Sequence, residues 1–108
     1  MRQMVMENSY KVIISQKASQ MLVSHVAYLA QVNLGAAKHL ATEFEKKANS
    51  LSFMPLRCPW LSGEYIPSHK YRYLLFEKRY MLIYQIIDDI VYIDYVIDTR
   101  QDYEWLIR

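Results

Sequence analysis

Seven side chains in this sequence could act together on a phosphate: Arg57, His69, Lys70, Arg72, Lys78, Arg79 and Arg100. Metal-free RNA cleavage through the 2′-hydroxyl needs a base, a proton donor for the leaving oxygen, and cations that stabilise the extra phosphate charge. The cations are present. The residues available as base or acid are His69 and Tyr103, although a histidine just ahead of a strand equally fits a solvent-facing position. Lys70 and Arg72 fit a solvated strand face as well as a binding one. Arg100 stands between Asp98 and Asp102 just after the last strand, so a local salt bridge tying the tail to the sheet competes with a direct functional role.

Other chemistries find less support. His25, His39 and His69 have no paired ligand spacing and Cys58 is the lone cysteine, so no metal site is expected. His25 fits the boundary or core of a helix, and His39 its surface. Gly35 and Gly63 are the only glycines, which leaves no glycine-rich phosphate loop and no nucleophile elbow. No cofactor is expected. If the chain is an enzyme, it is a metal-independent endoribonuclease; the balance leans towards no enzymatic activity.

The net charge of +2 is unevenly spread. Residues 1–54 sum to +3 (six basic, three acidic), residues 55–79 to +3 (five, two) and residues 80–108 to −4 (two, six). A basic middle beside an acidic end suits a polyanion or an acidic partner near the second strand; ordinary mixed surface charge is the alternative. A lone cysteine fits a reducing compartment. Residues 1–9 lack the apolar core of a signal peptide and no apolar run would span a bilayer, so a cytoplasmic protein with no membrane contact is expected.

The elements that position these residues follow from periodicity. At 108 residues the chain has the length of one domain, 1–108, and with 53% hydrophobic residues it can build one core. Tyr10–Ile14 is short and β-branched, and reads as a strand. Ser15 then caps a helix to about Gln31, with Ala18, Met21, Leu22, Val26 and Leu29 on one stripe. Val32 to Gly35 supplies a turn and a second start. Ala37, Leu40, Ala41, Phe44, Ala48 and Leu51 form the next helical stripe, so the two helices should lie antiparallel as a hairpin.

Pro55, Pro59 and Pro67 exclude regular structure from about Phe53 to Ser68. Three strand runs follow, Tyr71–Phe76, Tyr80–Ile87 and Ile90–Ile97, turned by Glu77-Lys78-Arg79 and by Asp88-Asp89. In the last run Val91, Ile93, Tyr95 and Ile97 should share one apolar face. The fold class is therefore α+β: a two-layer sandwich with an N-terminal strand, a helical hairpin, a three-stranded antiparallel meander and a short C-terminal helix. One sheet face should meet the helices and the other should stay partly open, with the open face and the proline loop as binding surfaces.

This order of elements, with the stretch Tyr80 to Asp89 as penultimate strand and hairpin and Val91 to Arg100 as last strand and arginine, resembles the RelE/ParE superfamily of type II toxin-antitoxin toxins. The resemblance covers nearly the whole chain and implies plasmid stabilisation or growth arrest by one of two activities. RelE-like members cleave mRNA on the ribosome, and ParE-like members poison DNA gyrase. In the nuclease pattern Arg72 falls at a lysine of the second strand and Arg100 near the arginine after the last strand. Leu74 replaces a second lysine, and Met81 stands where an arginine would contact the phosphate.

The tail, Arg100-Gln101-Asp102-Tyr103-Glu104-Trp105-Leu106, is similar to the Arg-x-Asp and hydrophobic ending of ParE-like toxins. The ParE-like branch is therefore favoured: a gyrase inhibitor neutralised by a cognate antitoxin in a hetero-oligomer. Partner contacts are expected at Arg57, Lys70, Arg72, Arg79, Arg100, Tyr103 and Trp105. The alternatives are a RelE-like nuclease acting on ribosome and mRNA, and a non-toxic scaffold that only binds antitoxin. A double-stranded RNA-binding module would need a basic terminal helix, which Asp98, Asp102 and Glu104 contradict.

Overall fold

A computed structural model describes residues 9–101 together with 103 and 107. Strand β1 (Lys11–Ile14) leads into helix α1 (Gln16–Ala30), and helix α2 (Leu34–Ser50) follows. Both helices start on side-chain caps. The Ser15 hydroxyl accepts the Ala18 amide at 3.0 Å, and Asn33 Oδ1 accepts the Ala36 amide at 2.9 Å. Asn33 also donates its own amide to the Leu29 carbonyl at 2.8 Å, which closes the hairpin turn.

Strands β2 (Arg72–Phe76), β3 (Tyr80–Ile87) and β4 (Ile90–Asp98) form the meander, with the two turns where the sequence places them. The sheet order is β1-β4-β3-β2; β1 runs parallel to β4 and the other pairs are antiparallel. A parallel pair requires a crossover, and the helical hairpin supplies it by packing on one sheet face. That face buries Leu40, Phe44, Ala48 and Leu51 against Phe76, Leu82, Tyr84, Val91, Ile93 and Val96. Leu40, Leu51, Leu82 and Ile93 are each at most 1% exposed, a degree of burial that contributes about 1.5–3 kcal/mol per side chain.

The second face is covered over part of its area and open at Leu75 and Ile87, which are 51% and 50% exposed. Met81, Ile83, Tyr95 and Ile97 are covered there by Leu61, Ile66 and Tyr71 from the proline segment and its exit, together with Ile107. That segment is not wholly irregular. Pro55–Arg57 makes one 3₁₀ turn, and Trp60 bridges to Arg72. Proline spacing predicts the loss of long elements but not the apolar residues that let the segment act as a lid over the sheet.

The last strand also departs from simple alternation. Ile83 registers with Tyr95 but Tyr84 registers with Ile93, so Asp94 is an extra residue. Such a bulge flips every later side chain to the other face. Val91 and Ile93 therefore face the helices while Tyr95 and Ile97 face the lid. Asp94 is satisfied in this position by the Gln85 side-chain amide at 2.6 Å.

The C-terminal helix expected from the sequence falls on Asp102, Glu104, Trp105, Leu106 and Arg108, outside the described residues. Among the described residues no helix is long and apolar enough to cross a membrane.

Candidate functional site

Arg72 opens β2 opposite Tyr84, on the helix-facing side of the sheet. Its guanidinium donates from one Nη to the Cys58 carbonyl at 2.6 Å and the Leu56 carbonyl at 3.3 Å, and lies 3.8 Å from the centre of the Trp60 indole. Backbone bonds at the bridge fix this stack: Leu61 donates to the Tyr71 carbonyl at 2.7 Å and Tyr73 to the Pro59 carbonyl at 3.2 Å. Behind it the Tyr84 hydroxyl donates to the Pro55 carbonyl at 2.5 Å, anchoring the 3₁₀ turn. Burial, with a hydrogen bond to Cys58, pushes the Tyr84 hydroxyl above its ordinary range, so it stays a donor.

His69 sits at φ 55, a left-handed conformation that is uncommon outside glycine, and sets its ring perpendicular to the Trp60 indole at 5.2 Å. Lys70 extends over Tyr71, with Nζ 5.2 Å from the ring centre. Leu56, Trp60, His69, Lys70, Arg72 and Ile86 enclose a cavity of about 180 Å³. Arg57 lies nearby in sequence but works differently. It donates to the carbonyls of Phe53 at 3.0 Å and Met54 at 3.2 Å and to the Ser50 hydroxyl at 3.0 Å, closing the C-terminal end of α2.

A second group gathers at the other end of the sheet. Asp98 is 7% exposed and holds Arg100 through two side-chain bonds, Nε to Oδ1 at 3.0 Å and an Nη to Oδ2 at 2.7 Å, while the Arg100 amide also donates to Oδ1 at 3.0 Å. The Arg100 hydrogen bond draws the Asp98 carboxyl below its ordinary value, against the opposing effect of burial. Tyr80 is raised by burial and by the Asp98 charge. His25 Nε2 lies 2.9 Å from the Val96 carbonyl and the ring meets Tyr80 at 5.3 Å, a half-buried boundary position. Arg79 is exposed, and its carbonyl accepts both the Thr99 amide and hydroxyl. His39 is exposed on α2, 3.3 Å from Glu77.

The expected cations therefore divide. His69, Lys70 and Arg72 converge at the start of β2, whereas Arg79 and Arg100 lie by the rows Phe76–Tyr80–Asp98. Four residues of strand, roughly 13 Å, separate the row of Arg72 from that of Phe76. Tyr103 joins the lid-side cluster, and Trp105 lies outside the described residues. Met81, at 3% exposure, is enclosed in that same cluster. Among the described residues no three His, Cys, Asp or Glu side chains group as metal ligands. Sequence reasoning missed Trp60, whose only signal was an aromatic inside a proline segment; the local salt bridge it offered for Arg100 is found with Asp98, but the burial of Asp98 was not foreseen.

Comparison with known proteins bears on this geometry. The family profile described as ParE toxin of type II toxin-antitoxin system, parDE, matches residues 12–103. The chain belongs to the ParE toxin family. This ParE-family chain is also similar in fold to a solved structure described as the chromosomal ParDE TA system from P. aeruginosa. The match has a TM-score of 0.70 and 11% identity, and covers 84% of this chain and 97% of that one. No curated protein matches the ParE-family chain by sequence. The α+β architecture and the ParE-like branch anticipated from the element order and tail are thus both found.

Proposed function

We propose that this ParE-family toxin arrests growth in the cytoplasm by inhibiting DNA gyrase and is neutralised by a cognate antitoxin bound over its basic central region. The observation that carries the reading is the burial of Met81 within the lid-side cluster. Phosphate cleavage needs cations converging on one oxygen, and here Arg72 and Arg100 lie at opposite ends of the sheet, with the apolar Met81 on the face opposite Arg72. Arg100 is moreover held by Asp98. The similarity to a ParDE system supports an antitoxin partner. A surface that engages a protein target needs no assembled catalytic cluster, which suits the division of the cations.

The test is expression without antitoxin, with replication and translation followed separately. An early block of replication, preceding any fall in translation, is the expected result. Prompt loss of translation with cut mRNA would favour the nuclease branch, and unimpaired growth would leave an antitoxin-binding scaffold.

A further inference from the structure

The Trp60, His69, Lys70 and Arg72 group is built for more than a loop anchor. Three observations point the same way. First, none of Lys70, Arg72 and Arg57 has a carboxylate within ion-pair distance among the described residues, whereas Arg100, Lys46 and His39 each do. Of these, Lys70 and Arg72 line the cavity, with no ion-pair partner among the described residues. Second, the Arg72 fork is immobilised through a single Nη by two carbonyls and by the indole, and its remaining N–H groups have no partner among the described residues. A preorganised guanidinium loses little entropy on binding an oxyanion. Third, His69 holds a left-handed backbone, and strain of this kind concentrates where a side chain must be aimed.

The cavity, about 180 Å³, is smaller than the roughly 300–1,000 Å³ of a whole small-molecule site. It suits one charged group, with the rest of the ligand outside. Its rim is open to solvent: Trp60 is 42% exposed, and Leu56 is exposed beside Met54 of the adjoining surface. An indole beside two cations, Lys70 and Arg72, and an imidazole is a combination that suits a nucleotide, with its phosphate on the cations and its base against the aromatic. A carboxylate-rich peptide would use the cations but has no need of the indole.

We infer that the cavity bounded by Trp60, His69, Lys70 and Arg72 binds a nucleotide unit, phosphate inside and base against Trp60, supplied by single-stranded nucleic acid or by a free nucleotide. The inference stands independently of gyrase as target, because the site is defined by its own geometry.

The test uses the full chain carrying Trp105→Phe, so that Trp60 is the sole indole. It is titrated with a single-stranded DNA of about 12 nucleotides, with dTMP, with inorganic phosphate and with polyglutamate. The expected result is quenching of Trp60 fluorescence by the DNA, with affinity falling roughly tenfold between about 50 and 200 mM salt. Lys70→Glu should weaken binding by a similar factor, and Lys46→Glu, on α2 and not part of the cavity lining, should not. Weaker binding of dTMP assigns the site to a strand; equal binding assigns it to a free nucleotide. No quenching, binding of inorganic phosphate as tight as that of either nucleotide ligand, tighter binding of polyglutamate, or an unaffected Lys70→Glu variant would each overturn the inference.

Discussion

Arg72 and Met81 face opposite sides of one sheet. Arg72 registers with Tyr84 towards the helices, while Met81 registers with Leu75 and is buried beneath the lid formed by Leu61, Ile66 and Ile107. A cation at position 81 would therefore not converge with Arg72, and would have to be buried without a partner. Met81→Arg should destabilise the fold by more than about 3 kcal/mol, read as a large fall in thermal midpoint, without gaining mRNA cleavage. A variant that folds at parental stability and cuts mRNA on ribosomes would show that the lid-side cluster is not closed.

Arg57 illustrates how a cation read as a partner contact acts as a helix stop. Its contacts with the Ser50 carbonyl at 3.4 Å and hydroxyl at 3.0 Å hold the end of α2, and its bonds to the Phe53 and Met54 carbonyls hold the turn that follows. Arg57→Ala should cost about 1 kcal/mol in urea unfolding. Arg57→Lys should recover less than half of that loss, because a single ammonium cannot reproduce the planar fork. Full recovery by lysine would mean that charge alone matters there.

The Asp98–Arg100 pair sets an acid limb. Arg100 holds the folded Asp98 carboxyl below its ordinary value, so its stabilisation is complete above roughly pH 4, the unfolded carboxylate range. It is lost as pH falls through the lowered folded value. Asp98→Asn should lower stability at neutral pH by about 1–2 kcal/mol and converge with the parent in acid. Urea midpoints measured at neutral and acid pH check this; a constant offset would contradict it.

The β3–β4 turn carries Asp88 at φ 58, where glycine meets no steric penalty. Asp88→Gly should raise stability by about 0.5 kcal/mol, since aspartate tolerates this region better than most residues but still less well than glycine. The thermal midpoint of the purified variant reads the effect, and a decrease would show that the Asp88 side chain makes a contact worth more than the strain.

Local periodicity carried most of the fold. Ser15 as a cap, the turn and second start at Val32 to Gly35, the stripes of the two helices, and the turns at residues 77–79 and 88–89 are signals within a few residues of one another, and the helices and turns stand where those signals put them. The bulge at Asp94 was not legible, because an extra residue is defined by the register of the neighbouring strand and leaves Val91, Ile93, Tyr95 and Ile97 alternating in sequence all the same. The cover over part of the second face was hidden for a related reason. Leu61 and Ile66 are isolated apolar residues among prolines, and only the path of the segment brings them to Ile83 and Tyr95. Trp60 and Arg72 likewise meet across twelve residues with no periodic link.

Gyrase is the proposed target, engaged by a toxin whose candidate cations are divided between two ends of the sheet. Purified toxin incubated with gyrase, plasmid DNA and ATP tests this proposal most directly, with trapped gyrase–DNA cleavage complexes as the readout. Linearised plasmid is expected after protein denaturation, in proportion to toxin and suppressed by antitoxin. Absence of such complexes, together with cut mRNA when the same preparation is added to translating ribosomes, would contradict it.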